Sequence, residues 1–199
     1  MKASETDFKV VFVCTGNICR SPMAEQMLRQ EVTKKKLPVT VSSAGVMAMT
    51  GDPMTTESAN AMANRGFQPE PHVSQDLTAD ILAEADLVLA MTLDHRSELA
   101  RIHPRASRYS FTFDEFARLV SYLRENPEFS GEFKKKPKET RGEYLKRTIA
   151  EAVLLRGMVP TSEDPRDVTD PYGESIEIYL EVAEHINGMT NVLVDWMDA

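Results

Sequence analysis

Between Phe8 and Val32 the chain spells out a strand, a tight turn and a helix, and no other stretch restricts its fold so much. Phe8-Lys9-Val10-Val11-Phe12-Val13 is β-branched and aromatic with one polar interruption, the pattern of a parallel strand covered on both faces. Ser21-Pro22 then opens a helical periodicity that puts Ala24, Met27, Leu28 and Val32 on one side. Pro22 suits a first helical turn, where its missing N–H costs nothing. Residues 14–20 must therefore make the connection at the carboxyl end of a buried strand.

The same rhythm continues. Val39-Thr40-Val41-Ser42-Ser43 predicts a second strand closed by Ala44-Gly45, and residues 55–65 a helix stopped at Gly66. Asp76 to Ala85 reads as a short helix, Asp86 to Met91 as a third strand, Leu93 to Ile102 as a helix and Arg108 to Phe113 as a fourth strand. From Glu174 to the end, Tyr179, Val182, Ala183, Ile186, Met189, Leu193 and Trp196 form one apolar stripe. Alternating strands and helices mean an α/β domain with a parallel sheet. Residues 114–165 break the pattern: two helical stretches, Phe116 to Leu123 and Tyr144 to Leu155, flank a polar linker rich in lysine. They predict a helical insertion inside a single domain spanning 8–197. The lysines at 134, 135, 136 and 138 read as a solvated loop, with docking of acidic phosphopeptides the other use for them.

A chain of 199 residues with 42% hydrophobic and 27% charged residues has an ordinary globular balance. Its net charge of -8 argues against nucleic acid or an anionic membrane as partner, since both need a cationic face. No apolar run reaches the ~18–20 residues of a membrane span, and the polar first residues do not resemble a secretory signal. Two cysteines are too few for a disulfide framework or a cysteine-built zinc site, and they point to the reducing cytoplasm. The four histidines show no paired ligand spacing, so no metal or other cofactor is expected.

The chemistry lies in Cys14-Thr15-Gly16-Asn17-Ile18-Cys19-Arg20-Ser21. A loop from a strand into a helix N-terminus aims several backbone N–H groups into one concavity, which favours an oxyanion. Gly16 and Asn17 tolerate the left-handed backbone such a loop needs. Arg20 adds a planar fork suited to two phosphate oxygens. A thiol at the start of that ring is favoured as its thiolate, and hydroxyls at Thr15, Ser21 and Ser43 are available to the sulfur or the loop. Together these form a nucleophile under an anion cradle, suited to covalent phosphoryl transfer. The plainer reading makes Cys14 a small buried apolar residue and Arg20 an ordinary helix start.

Cys14 to Glu25 resembles the signature of the low-molecular-weight protein tyrosine phosphatases, supported by Ser42-Ser43-Ala44-Gly45, Ala85 to Met91 and Asp170-Pro171-Tyr172-Gly173. The resemblance covers about residues 8–113 and 167–197. It implies a three-layer α/β fold of the phosphotyrosine protein phosphatase I-like type, around a four-stranded parallel twisted sheet. It further implies Cys14 as nucleophile, Arg20 as phosphate clamp and Asp170 as general acid. Three Asp-Pro dipeptides compete for the acid role; the position before the last helix selects Asp170-Pro171, with Asp164 as fallback over Asp52. Thr15, Gly16, Asn17, Ile18, Cys19 and Ser21 become the phosphate-binding loop, and Met47 and Tyr172 the walls beside an aryl group. Ser43 and His72 become supports for Asn17; alternatively Ser43 closes a strand and His72 is a loop residue between prolines.

Cys19 either forms a reversible disulfide with Cys14, as the resemblance allows, or supports the helix start. Asp94-His95-Arg96 either reaches the rim or is an exposed helix start. The implied partners are phosphotyrosine-bearing proteins, a bacterial tyrosine kinase among them, with the protein a monomer or weak dimer. Rival readings are a protein-arginine phosphatase, whose loop carries threonine where Ile18 stands, a small-thiol-coupled arsenate reductase, and a phosphate-binding module without turnover.

Overall fold

The computed structural model describes residues 8–158 and 167–199. Asp164, the fallback acid, lies outside the described residues. Strands β1 (Phe8–Cys14), β2 (Val39–Gly45), β3 (Leu87–Ala90) and β4 (Ser110–Thr112) form one parallel sheet in the order β2-β1-β3-β4. Seven α-helices accompany them among the described residues: α1 (Arg20–Lys34), α2 (Thr56–Asn64), α3 (Ala79–Glu84), α4 (Leu93–Ile102), α5 (Phe113–Glu125), α6 (Arg141–Leu155) and α7 (Ile176–Met197).

The central strand explains the layering. Phe8, Val10 and Phe12 enter a large core shared with α1, α5, α6 and α7, whereas Val11 and Val13 enter a smaller one with Leu82 of α3 and Leu99 of α4. That alternation gives two helical layers about the sheet, the three-layer α/β arrangement expected. The strand order changes direction at β1, so the carboxyl ends of β1 and β3 open the crevice where ligands bind in such sheets.

Several boundaries differ from the sequence reading for local reasons. The fourth strand is only Ser110–Thr112, because a 3-10 turn occupies Pro104–Arg108 and Thr112 already caps α5. Thr112 and Glu115 form a reciprocal capping box that ends the strand and starts the helix. The helix expected from Asp76 begins at Ala79, where Thr78 accepts from the Ile81 N–H. Asp76 is instead used by the loop after β2, accepting from Thr50 Oγ1 at 2.8 Å.

Residues 114–165, expected as an insertion, hold most of α5 and all of α6. Phe116, Leu119, Val120, Leu123, Tyr144, Leu145 and Ile149 are buried in the same core as Trp196 of α7. The Tyr144 hydroxyl lies 2.9 Å from the Phe133 carbonyl and 3.2 Å from that of Trp196, whose indole N–H donates to Thr148 at 3.0 Å. Among the described residues no helix is long and apolar enough to cross a membrane.

Candidate active site

The loop from β1 into α1 is held from outside by its own carbonyls. Cys14, Thr15, Gly16 and Ile18 accept from the N–H groups of Val46, Met47, Met49 and Thr55 at 2.9–3.1 Å. The Asn17 carbonyl accepts from His72 Nε2 at 2.7 Å. A peptide unit is planar, with its C=O and the next N–H on opposite sides. Turning these carbonyls outward therefore turns the N–H groups of Thr15, Gly16, Asn17, Ile18 and Cys19 inward, a nest that attracts an anion. The close approach explains Gly45: a Cβ there would stand 2.4 Å from the Thr15 carbonyl oxygen.

Asn17 is the hinge of the loop, with φ of 56° in the left-handed region. Its amide donates to Ser43 Oγ at 2.8 Å and Ser21 Oγ at 2.9 Å, and its Oδ1 accepts from the Gln75 N–H at 3.0 Å. Ser43 in turn donates to Glu25, which lies 4.0 Å from His72 Nδ1. Ser43 and His72 thus both hold Asn17. Glu25 and Gln75 belong to the same support: Glu25 closes the signature that begins at Cys14, without its role being legible there, and Gln75 stands in no motif.

Cys14 is buried, its sulfur 2.9 Å from Ser21 Oγ. Because that oxygen already accepts from Asn17, the Ser21 hydroxyl hydrogen is left for the sulfur. Arg20 is buried too, and its guanidinium is fixed at one end: Nη1 donates to the Val168 carbonyl at 3.2 Å and Nη2 to Asp170 Oδ2 at 2.6 Å. Its Nε is buried with no partner among the described residues. A buried donor without an acceptor is costly, and an oxyanion beside Arg20 would satisfy it. Asp170 is half exposed, its second oxygen accepting from the Tyr172 N–H at 3.3 Å. The segment carrying it is tied to the end of β3, with Val168 N–H donating to Met91 and Leu93 N–H to Asp167.

These groups meet in a cavity of about 350 Å³ whose floor is Cys14, Thr15, Gly16, Ile18, Cys19 and Arg20 and whose walls are Met47, Met49, Asp170 and Tyr172. Met47 and Tyr172 are exposed at its rim. Met49 joins the expected Met47 there. Asp52 is exposed and takes no part in the lining. The Cys19 thiol lies 3.6 Å from Thr55 Oγ1 and 4.0 Å from the Tyr179 hydroxyl, and burial raises its pKa. Both cysteines are free thiols.

Of the two readings of Asp94-His95-Arg96, reach toward the site or an exposed helix start, His95 follows the first. It is buried, with Nε2 2.8 Å from Thr15 Oγ1 and Nδ1 2.8 Å from Thr92 Oγ1. Burial and the neighbouring Arg20 charge push its pKa down to about 4. No cluster of three His, Cys, Asp or Glu side chains that could hold a metal occurs among the described residues.

A family model described as low molecular weight phosphotyrosine protein phosphatase matches residues 9–126, ending just after α5. The Escherichia coli K12 low molecular weight protein-tyrosine-phosphatase Etp is 38% identical over 108 residues, 54% of this chain and 70% of the relative. The Bacillus subtilis protein-arginine-phosphatase is 39% identical over 107 residues, 54% and 71% of the two chains. Among solved structures, the low molecular weight protein tyrosine phosphatase from T. tengcongensis superposes with a TM-score of 0.68 at 28% identity, covering 94% of this chain and 98% of that one. The YwlE arginine phosphatase from Geobacillus stearothermophilus gives 0.66 at 26% identity, covering 94% and 91%.

Proposed function

Because the chain belongs to the low molecular weight phosphotyrosine protein phosphatase family, we propose that it hydrolyses phosphotyrosine in proteins through a cysteinyl-phosphate. The observation that carries this reading is the loop itself: outward carbonyls, an orphaned Arg20 donor and a thiol supported by Ser21 surround one point. In the first step the Cys14 sulfur attacks phosphorus and the bond to the phenolic oxygen breaks. The inward N–H groups and Arg20 hold the equatorial oxygens as charge spreads over them. Asp170, at the cavity wall, gives its proton to the leaving oxygen. In the second step Asp170 takes a proton from water as that water displaces the sulfur, releasing inorganic phosphate and regenerating the thiolate.

The substrate class is read from the walls. Ile18, Met47, Met49 and Tyr172 offer apolar surface to an aryl ring, and among the described residues Asp170 is the one carboxylate in the lining. Phosphoarginine brings a cationic guanidino group whose acidic partner in this lining is Asp170, already paired with Arg20. The alternative retains support from the arginine phosphatases, whose likeness to this chain equals that of the tyrosine phosphatases. We further assign phosphoproteins in the cytoplasm as substrates, a tyrosine kinase among them, with the enzyme a monomer or weak dimer. Residues 114–165 serve as a structural addition to a single domain.

The test is hydrolysis of p-nitrophenyl phosphate in a chelator, followed by competition between phosphotyrosine and phosphoarginine peptides. Wild type is expected to turn over, to prefer phosphotyrosine, and to lose activity in Cys14→Ser. Equal activity in Cys14→Ser contradicts the mechanism, and a preference for phosphoarginine contradicts the substrate class.

A further inference from the structure

The mechanism above makes no use of the chain of hydrogen bonds that begins at α4 and ends in the loop. Thr92, the residue capping α4, accepts from the His95 backbone N–H at 3.2 Å. Its hydroxyl oxygen also lies 2.8 Å from His95 Nδ1. Thr92 has no other acceptor for its hydroxyl hydrogen within reach among the described residues, so donating it to Nδ1 gives that hydrogen a partner, whereas the opposite tautomer leaves it without one. In a neutral ring the proton then sits on Nε2. From there it is donated to Thr15 Oγ1 at 2.8 Å.

Thr15 Oγ1 thus accepts from His95, and at 3.5 Å it also stands within reach of Arg20 Nη2. Both donors are hydrogen-bearing nitrogens, so the Thr15 hydroxyl hydrogen goes to neither. No carbonyl or carboxylate accepts it among the described residues, and Thr15 lines the floor of the cavity. We propose that neutral His95 sets the direction of the Thr15 hydroxyl so that Thr15 donates its hydrogen to a phosphoryl oxygen bound over Cys14. Thr15 is then a catalytic residue, touching the substrate by side chain as well as backbone. His95 is a positioning residue that acts through it. This rests on the loop being the phosphoryl site.

The surroundings keep the ring in the required state. Arg20 faces it from the loop, and its charge together with burial opposes a second proton; Asp94, Asp167 and Asp170 act the other way and are outweighed. An imidazolium would put a hydrogen on Nδ1 against a Thr92 oxygen whose own hydrogen would then need another acceptor.

The test is steady-state hydrolysis of p-nitrophenyl phosphate by Thr15→Val, Thr15→Ser, His95→Leu, His95→Gln and the double variant Thr15→Val/His95→Leu. Loss of one hydrogen bond to a charged oxygen predicts about a tenfold fall in kcat/KM for Thr15→Val. His95→Leu is expected to fall by a similar factor, divided between kcat and KM in the same proportion. The double variant should be no worse than either single one, because the two residues form one path. Thr15→Ser keeps the hydroxyl, and His95→Gln can place an amide N–H near the Nε2 position; both should stay within about threefold of wild type. Full activity in Thr15→Val, or losses that multiply in the double variant, overturns the inference while leaving phosphatase activity intact. A wild type without Cys14-dependent hydrolysis overturns the functional reading and this inference together.

Discussion

Asp170 holds two positions at once, paired with Arg20 at 2.6 Å and standing on the cavity wall. Replacing it with asparagine keeps the shape and removes the transferable proton. Asp170→Asn should therefore lower kcat on a phosphotyrosine peptide by roughly 10²–10³, the range of general acid catalysis. The loss should be smaller on p-nitrophenyl phosphate, whose leaving group needs less protonation; equal losses on both substrates would remove Asp170 from the acid role. Gly45 gives a second test at this scale. A methyl group there collides with the Thr15 carbonyl, so Gly45→Ala should lower both the melting temperature and kcat, with the shift read by calorimetry beside the assay. Unchanged kcat would mean that the loop tolerates displacement. The residues of the loop were legible because Cys14, Arg20 and Ser21 fall at fixed offsets between a strand and a helix. Gln75 was not, because it reaches the loop across the fold and carries no local signal, and the parts that Glu25 and His95 play depend on partners the sequence does not place beside them. For His95 the sequence leaves reach toward the site and an exposed helix start open, and burial against Thr15 decides between them.

Elements were read well where periodicity was strong and less well where caps decided the ends. β1 and α7 are apolar enough to declare themselves, whereas β4 is three residues long and yields to the Thr112–Glu115 box. α4 has a use beyond packing, since its cap holds His95. That makes folding stability depend on pH in a stated direction. The folded pKa of His95 is about 4, below its ordinary 6.5, so the unfolded chain takes the proton first as pH falls. The stabilisation is fully present above about pH 6.5 and is lost as pH falls through about 4. Urea titrations of wild type and His95→Gln at a series of pH values should therefore show a steeper decline for wild type across that window. Parallel curves would place the titration elsewhere.

At the scale of the molecule, the helices that interrupt the α/β rhythm are part of one core. Phe116 meets Trp196 edge-on with centroids 5.2 Å apart, and Tyr144 sits beneath both Phe133 and Trp196. The end of this region also reaches toward the site: Arg156 pairs with Glu115 and stands over the Phe111 ring at 4.5 Å, while Glu115 is 3.5 Å from Arg96 on the helix that carries His95. Sequence alone exposed two helices without their destination, because an apolar stripe states that a face is buried and not against what. Tyr144→Phe removes a buried hydroxyl but leaves its two carbonyls without that donor. It should cost about 1 kcal/mol of stability by denaturant unfolding. kcat should be unchanged, as expected of a group outside the cavity; a fall in kcat would assign this region a part in turnover.

Alkylation of Cys14 by iodoacetate near neutral pH, followed by mass spectrometry with and without inorganic phosphate, addresses the cradle most directly. The account predicts rapid addition of one carboxymethyl group at Cys14, loss of activity in proportion, and protection by phosphate. An unlabelled Cys14 in an enzyme that still turns over, or labelling that phosphate does not slow, would contradict it.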